Sequence, residues 1–355
     1  MLLTSSISKG INRLLNLSIY LSCLLIVFIT PGLAAADKEV VLKLAVLEGP
    51  KAARTVHGHK VWANAVEKAS NSSIKVSLFP SRSLVSAKQM YDATANGLAD
   101  VACISIGHYP GRFPFTESLS FPGSGISSPP IASEIIMKMY DKYPEMQKEF
   151  RAVKVLFFFG FAPMSIATVK KPVKTWNDLD GLRLRINHKG TANYLKTANV
   201  SPIFIPPPDI FLSLQKGIID GSIMGWFGHH AFGTTKLANY FTEVPPVPGP
   251  FFSYIMNKRK FNSLSQKQKD ALMSVSGYEG AKMFGQSGLK EIEVATESIR
   301  NDPKKEIISL TNAEINSWAE KAAEEQKIII DRMKRKGYPI EQFMQDVKDM
   351  VKAQK

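Results

Sequence analysis

The sequence predicts an α/β protein of two similar lobes, with a ligand cleft between them and long helices at the C-terminal end. Three observations carry this. Short apolar runs alternate with amphipathic segments of helix length, the pattern of βαβ units and a mostly parallel sheet. The pattern occurs twice: strand, Pro80, helix, Asn96-Gly97-Leu98-Ala99-Asp100, strand; then strand, Pro206, helix, Lys216-Gly217-Ile218-Ile219-Asp220, strand. With 355 residues, 45% of them hydrophobic, the chain has material for two domains. Two such lobes leave a crevice at their strand ends, where open α/β sheets bind ligands.

The first forty residues set the compartment. Lys9 and Arg13 precede an apolar run from Leu14 to Ile29, then come Pro31, Gly32 and Ala34-Ala35-Ala36, with no acid before Asp37. That order is the layout of a cleavable secretory signal over residues 1–36, and implies a periplasmic protein. The run is shorter than the ~20 residues that span a bilayer; an uncleaved N-terminal anchor is the other reading. Cys23 lies inside the apolar run and not at its end, which does not fit a lipidation site. Cleavage after Ala36 leaves Cys103 as the lone cysteine, so no intramolecular disulfide is expected.

The elements follow in order. Val40 to Leu47 reads as a buried strand, and Val61, Ala65, Val66 and Ala69 recur at helical spacing. Ile74, Val76 and Leu78 alternate as a strand, a helix over about 86–96 is capped by Gly97, and 99–106 is the next strand. Gly107 to Pro114 is a turn-rich exit. A loop over 118–130 leads to a helix carrying Ile135, Ile136, Met139 and Tyr140, then to the aromatic strand Val153–Phe159. In the second block Leu182, Leu184 and Ile186 form a strand, with a helix over about 191–199 behind it. Ile203–Ile205 is a strand, Asp209 caps a helix that ends at Gly217, and 218–224 is a strand. Beyond 264 the chain is largely helical, with segments opening at Leu264-Ser265-Gln266, over 314–333, and around Phe343, Val347 and Val351. Lobe I is assigned 37–160 plus about 249–288, and lobe II 161–248 plus about 289–355.

Charge narrows the partners. The 45 basic and 31 acidic residues give +14, and loss of Lys9 and Arg13 with the signal leaves +12. The lysines are scattered, apart from Lys170-Lys171 and the tail, with no stripe of interleaved aromatics, and an exported chain does not meet nucleic acid. What remains is a positive field that attracts anions.

Signatures of catalysis are absent: no Gly-x-Ser-x-Gly elbow, no His-Glu-x-x-His, no Walker loop, no paired-cysteine metal site. No cofactor and no metal are expected. His229-His230, in a loop after a strand, are weak candidates for metal ligands or pocket donors. His57 and His59 flank the start of the first helix, where an anion is favoured, and His57 and Tyr109 are counted among the candidate ligand contacts. In the segment 178–186, Arg183 and Arg185 point to the same strand face. Arg185 at a strand end can grip a carboxylate through two parallel hydrogen bonds. It can equally form a surface ion pair with Asp178 or Asp180, and periodicity leaves both open.

The run Asp178-Leu179-x-Gly181-Leu182-Arg183-Leu184-Arg185-Ile186 is followed by Phe211-Leu212-Ser213-Leu214-Gln215-Lys216-Gly217-Ile218-Ile219-Asp220-Gly221. Together these resemble the solute-binding proteins of tripartite ATP-independent periplasmic (TRAP) transporters, the DctP-type family. Tyr91-Asp92-Ala93, Gly97, Asp100-Val101, Gly111-Arg112-Phe113-Pro114 and Asn257-Lys258, Phe261, Leu264 fit the same family in the same order, over nearly the whole mature chain. The resemblance implies a type II-like periplasmic binding protein fold that closes over a small organic acid by hinge motion. It also implies delivery to small and large integral membrane permease subunits driven by an ion gradient. It puts Arg185 on the arginine that binds the substrate carboxylate. Two departures stand out. Met224 replaces an asparagine that often serves the ligand, and Ser165 replaces a second arginine found in relatives that bind sialic acid. With both polar grips gone, Trp226, Phe227 and the aromatics of 157–161 form an apolar wall beside one anchor. The expected ligand is a monocarboxylate with an apolar or aromatic body. The rivals are a receptor of an ATP-driven importer or a sensor, and a periplasmic enzyme acting on organic acids.

Overall fold

Strand β1, Val40–Ala45, runs parallel to β2, Ile74–Phe79, and to β3, Val101–Ser105, as the alternation predicts. The structure, a computed structural model, describes residues 38–354 apart from 162–163, 187–188, 245–246 and 248. Residues 1–36, read from sequence as a secretory signal, and with them Cys23, lie outside the described residues. The first sheet is completed by β4, Lys154–Gly160, and by β10, Phe251–Met256, in the order β2-β1-β3-β10-β4, with β10 antiparallel to both its neighbours. β4 is buried along almost its whole length because helix Pro129–Lys142 and helix Gly277–Arg300 both pack on it. Phe158 packs between Tyr140 and Phe150, Phe157 stacks on Tyr254, and Phe159 packs against Phe284. Each such buried ring stabilises the fold by roughly 1.5–3 kcal/mol.

The second sheet contains β5, Met164–Thr168, β6, Arg183–Ile186, β7, Ser201–Phe204, β8, Gly221–Met224, β9, Tyr240–Val244, and β11, Glu306–Ile308. Its order is β11-β9-β5-β8-β6-β7. β6, β7 and β8 are parallel, and β5 lies antiparallel between β8 and β9. The chain crosses between the sheets at 160–164 and at 244–251. There the Phe161 N–H donates to the Pro250 carbonyl (3.1 Å) and the Met164 N–H to that of Val247 (3.1 Å).

Helix Gly277–Arg300 serves both sheets: Phe284 belongs to the core of the first, Ala295 and Ile299 pack with Ala167, Trp226 and Phe241 of the second. The sequence reading left this helix unassigned. Helix Asn312–Lys334 places Trp318 and Ala322 in the second core and Ile329 and Met333 in the first. It therefore carries the chain back, and helix Ile340–Lys352 buries Phe343, Val347 and Val351 in the first core, not in lobe II as assigned from sequence. Two local readings also change. Helix Lys60–Ala69 buries Trp62, Ala63 and Val66 while Val61 and Ala69 stay exposed, and His229-His230 lie in a short helix, Trp226–Ala231, not in a loop. Helix Met90–Asn96 ends where expected because Gly97 takes the left-handed conformation (φ 89°). Among the described residues no helix is long and apolar enough to cross a membrane.

Candidate functional site

The parallel strands of both sheets release their C-terminal ends toward one cavity. β1 leads to Leu47 and Glu48, β3 to Ser105 and His108, β8 to Met224, Gly225 and Trp226, and β6 contributes Arg185; all line a space of about 720 Å³, mouth included. Its wall is mainly apolar, with Met164, Phe161, Phe227, Phe232 and Phe252 beside Met224 and Trp226.

Arg185 is 2% exposed. Its Nε donates to the Ile205 carbonyl (2.9 Å), and among the described residues no acidic group pairs with it. Burial alone shapes its titration and brings its pKa down to about 10, so the cation persists at neutral pH without a counter-ion. Asp178 and Asp180, the alternative partners, are engaged elsewhere. Asp178 Oδ2 accepts from the Lys174 and Thr175 N–H groups (2.9 and 2.8 Å), and Asp180 Oδ1 accepts from Asn199 Nδ2 (2.7 Å). Arg183, two residues earlier, is exposed and doubly bonded to Asp220 (Nη2–Oδ1 2.6 Å, Nε–Oδ2 2.9 Å). Both arginines share a strand face, yet one is at the solvent edge and the other over the cavity.

A second buried arginine lies on the same wall and escaped the sequence reading. Arg54 donates from Nη2 to Glu291 Oε2 (3.0 Å) and from Nη1 to Glu48 Oε1 (2.8 Å), and its guanidinium sits 4.2–4.5 Å from the centres of Phe161, Phe227 and Phe252. Burial opposes each charge here. For Glu48 the Arg54 charge and the His59 hydrogen bond outweigh burial and bring the pKa down to about 2. For Glu291 burial wins over Arg54, the Glu48 charge adds to it, and the pKa rises to about 7. Buried His59 donates from Nε2 to Glu48 Oε2 (3.3 Å) and accepts the Tyr254 hydroxyl at Nδ1. Arg54 is thus neutralised within the protein, and Arg185, among the described residues, is not. Glu291 is 237 residues from Arg54, so no local spacing could have announced the pair.

The sequence-predicted residues separate into two groups. Arg185, Met224 and Trp226 share the cavity wall, although Trp226 is 1% exposed, stacks on Phe241 and donates from Nε1 to Glu243 (3.2 Å). Ser165, His57 and Tyr109 do not line it. Ser165 is fully buried on β5, its Oγ donating to the Met224 carbonyl (3.3 Å). Tyr109 packs against Tyr91 and Phe113, donates to the Ala87 carbonyl (2.7 Å) and accepts from the Tyr91 N–H (3.0 Å). His57 is exposed beside an adjoining depression that also holds His230. The displacement has a backbone cause. The Lys60 N–H bonds to the Thr55 carbonyl five residues back, a π turn whose extra residue turns His59 inward and His57 out. His229 is buried behind the wall, its Nε2 donating to the Ser165 carbonyl (3.1 Å). Burial, with help from the Arg185 charge, brings its pKa down to about 4.

The same fold recurs in known proteins. The model of the DctP family, described as bacterial extracellular solute-binding protein, family 7, matches residues 49–332. A TRAP periplasmic solute-binding protein from Bordetella bronchiseptica, solved with bound (R)- and (S)-mandelate, is 25% identical. It superposes with a TM-score of 0.81 over 89% of this chain and 100% of that one. A marine metagenome TRAP solute-binding protein from an unidentified microbe is described as specific for aromatic acid ligands and was solved with 3-hydroxybenzoate. It is 26% identical, with a TM-score of 0.81 over 89% and 99%. A solute-binding protein of Albidiferax ferrireducens is 22% identical over 269 residues, 72% of this chain and 75% of its own length. The match to the family model spans most of the chain, and the two-sheet fold with its long C-terminal helices is the fold of these relatives. The chain belongs to the bacterial extracellular solute-binding proteins of family 7, the DctP-type solute-binding proteins of TRAP transporters.

Proposed function

We propose that this chain captures a monocarboxylate with an apolar, aromatic body and hands it, chemically unchanged, to the integral membrane subunits of a TRAP permease. One observation carries the reading: a buried cation, Arg185, without an acidic partner among the described residues, on a mainly apolar cavity wall whose other charged groups, Arg54, Glu48 and Glu291, pair with one another. A carboxylate is the group that completes a guanidinium through two charge-assisted hydrogen bonds, and the rings of Phe161, Phe227 and Phe252 suit an aryl body. The mandelate and 3-hydroxybenzoate carried by two relatives support the same class. Ser165 and Met224, where polar grips are missing, disfavour a dicarboxylate or a sugar acid. The lobes close by bending where the chain crosses between sheets, and export proceeds by cleavage after Ala36.

A thermal-shift screen against aromatic monocarboxylates, dicarboxylates and sugar acids tests this. The aromatic monocarboxylates are expected to stabilise the protein, by about 2.7 kcal/mol at a hundredfold excess over Kd, and to be recovered intact by NMR after incubation with stoichiometric protein. Preference for a dicarboxylate, or conversion of the acid, would contradict it.

A further inference from the structure

Two polar side chains on the cavity wall have no hydrogen-bond partner among the described residues. Ser105 ends β3, and His108 closes the helical turn Ile106–His108 that follows it; both line the cavity from the first lobe, while Arg185 comes from the second. Among the described residues neither Ser105 Oγ nor either ring nitrogen of His108 has a hydrogen-bond partner, although Ser105 is 7% exposed. The other polar groups of that wall are committed: Arg54, Glu48 and Glu291 to one another, and Arg185 through Nε to Ile205. Burial, reinforced by the Arg185 charge and opposed by Glu48, brings the His108 pKa down to about 4, so its imidazole is neutral near pH 7. The wall therefore offers a hydroxyl and a neutral imidazole, each able to donate one hydrogen bond and accept another.

We infer that Ser105 and His108 determine specificity by hydrogen-bonding a hydroxyl group of the ligand, so that the protein prefers a hydroxylated aromatic monocarboxylate to the unsubstituted acid. The inference rests on the monocarboxylate reading above. Neither side chain carries charge, so neither compensates a second carboxylate or an ammonium inside a water-poor cleft. A hydroxyl, donor and acceptor at once, matches both. Closing the cleft on an acid without it strands two buried polar groups, and a site built to bond a hydroxyl rejects the analogue that lacks one.

The test is calorimetric titration of the mature chain with two matched pairs, mandelate against phenylacetate and 3-hydroxybenzoate against benzoate. Wild type, Ser105→Ala and His108→Leu are compared after circular dichroism confirms folding. Ser105→Ala removes one oxygen and keeps the strand intact, so it stands if His108→Leu does not fold. In at least one pair the hydroxylated acid is expected to bind roughly tenfold or more tightly to wild type. That preference is expected to shrink severalfold in at least one variant, through weaker binding of the hydroxylated acid, tighter binding of the plain acid once the stranded polar group is gone, or both. Equal binding within both pairs by wild type, or a preference that survives in every folded variant, would overturn the inference and leave the monocarboxylate reading standing. If none of the four acids binds, that reading fails and this one with it.

Discussion

The guanidinium of Arg185 is held in place by one hydrogen bond to Ile205 and by the packing around it, in surroundings where burial disfavours its charge. An unpaired buried cation costs the unliganded fold stability that a ligand carboxylate restores. Arg185→Leu is therefore expected to leave the melting temperature of the unliganded protein unchanged or higher, despite loss of a hydrogen bond worth about 1 kcal/mol. A fall of several degrees would show the arginine to be structural. Glu291 gives a second test at this scale. Its pKa of about 7 in the fold, against an ordinary 4.5, means that the native protein holds a proton the unfolded chain releases. Stability at this site is thus present at low pH and lost as pH rises through about 7. Relative to Glu291→Gln, wild type should lose on the order of 2–3 kcal/mol between pH 5 and 8. Glu149, also raised to about 7, is common to both proteins and cancels in the difference. Urea melts at the two pH values decide, and parallel curves would contradict the assignment. Sequence alone placed Arg183 and Arg185 on one face; it could not tell which one the Asp220 carboxylate would claim, because that pairing spans 37 residues.

Among the elements, helix Gly277–Arg300 packs closely on helix Pro129–Lys142 and on β4, and it does so through glycines. A Cβ on Gly285 would lie 2.9 Å from the Pro130 Cα, a backbone atom that cannot turn aside. On an exposed helix Gly→Ala stabilises by up to about 1 kcal/mol. Here Gly285→Ala is expected to destabilise by roughly 1–3 kcal/mol through overpacking, measured by chemical denaturation. A stabilised variant would mean that the helix is free to move off Pro130. Elements with a clean period were legible: β1, β2, β3, β6 and β7, and the helices that end at Gly97 and Gly217 were all foreseen, because apolar alternation and glycine caps are local signals. β5, β9 and β10 were not. They sit antiparallel inside their sheets and pair with strands distant in sequence, as Phe252 does with Ser105 and Phe159, so the pairing leaves no local pattern. The π turn at 55–59, with His57 exposed and His59 buried, was equally invisible.

At the scale of the whole molecule, two sheets with separate cores are joined by paired crossing segments and a shared helix, and the strand ends of both open on one cavity. Duplication of the βαβ pattern foretold the two lobes, while the return of helix Ile340–Lys352 to the first core depends on which apolar surface is left uncovered, a property of the assembled fold. The net charge of +14 draws anions to the surface, but in the proposed function capture depends on Arg185, the cation of the cavity wall that no acid neutralises among the described residues. Calorimetric titration of Arg185→Ala, Arg185→Lys and Arg183→Ala with an aromatic monocarboxylate that binds wild type tests that dependence directly. Arg185→Ala should cost about 2–5 kcal/mol of binding, roughly thirty- to several-thousandfold in Kd. Arg185→Lys should recover only part of this, since it keeps the charge and loses the fork. Arg183→Ala, whose side chain is paired with Asp220 at the surface, should bind nearly as wild type does. Loss of binding in Arg183→Ala with near-normal affinity in Arg185→Ala would contradict the account.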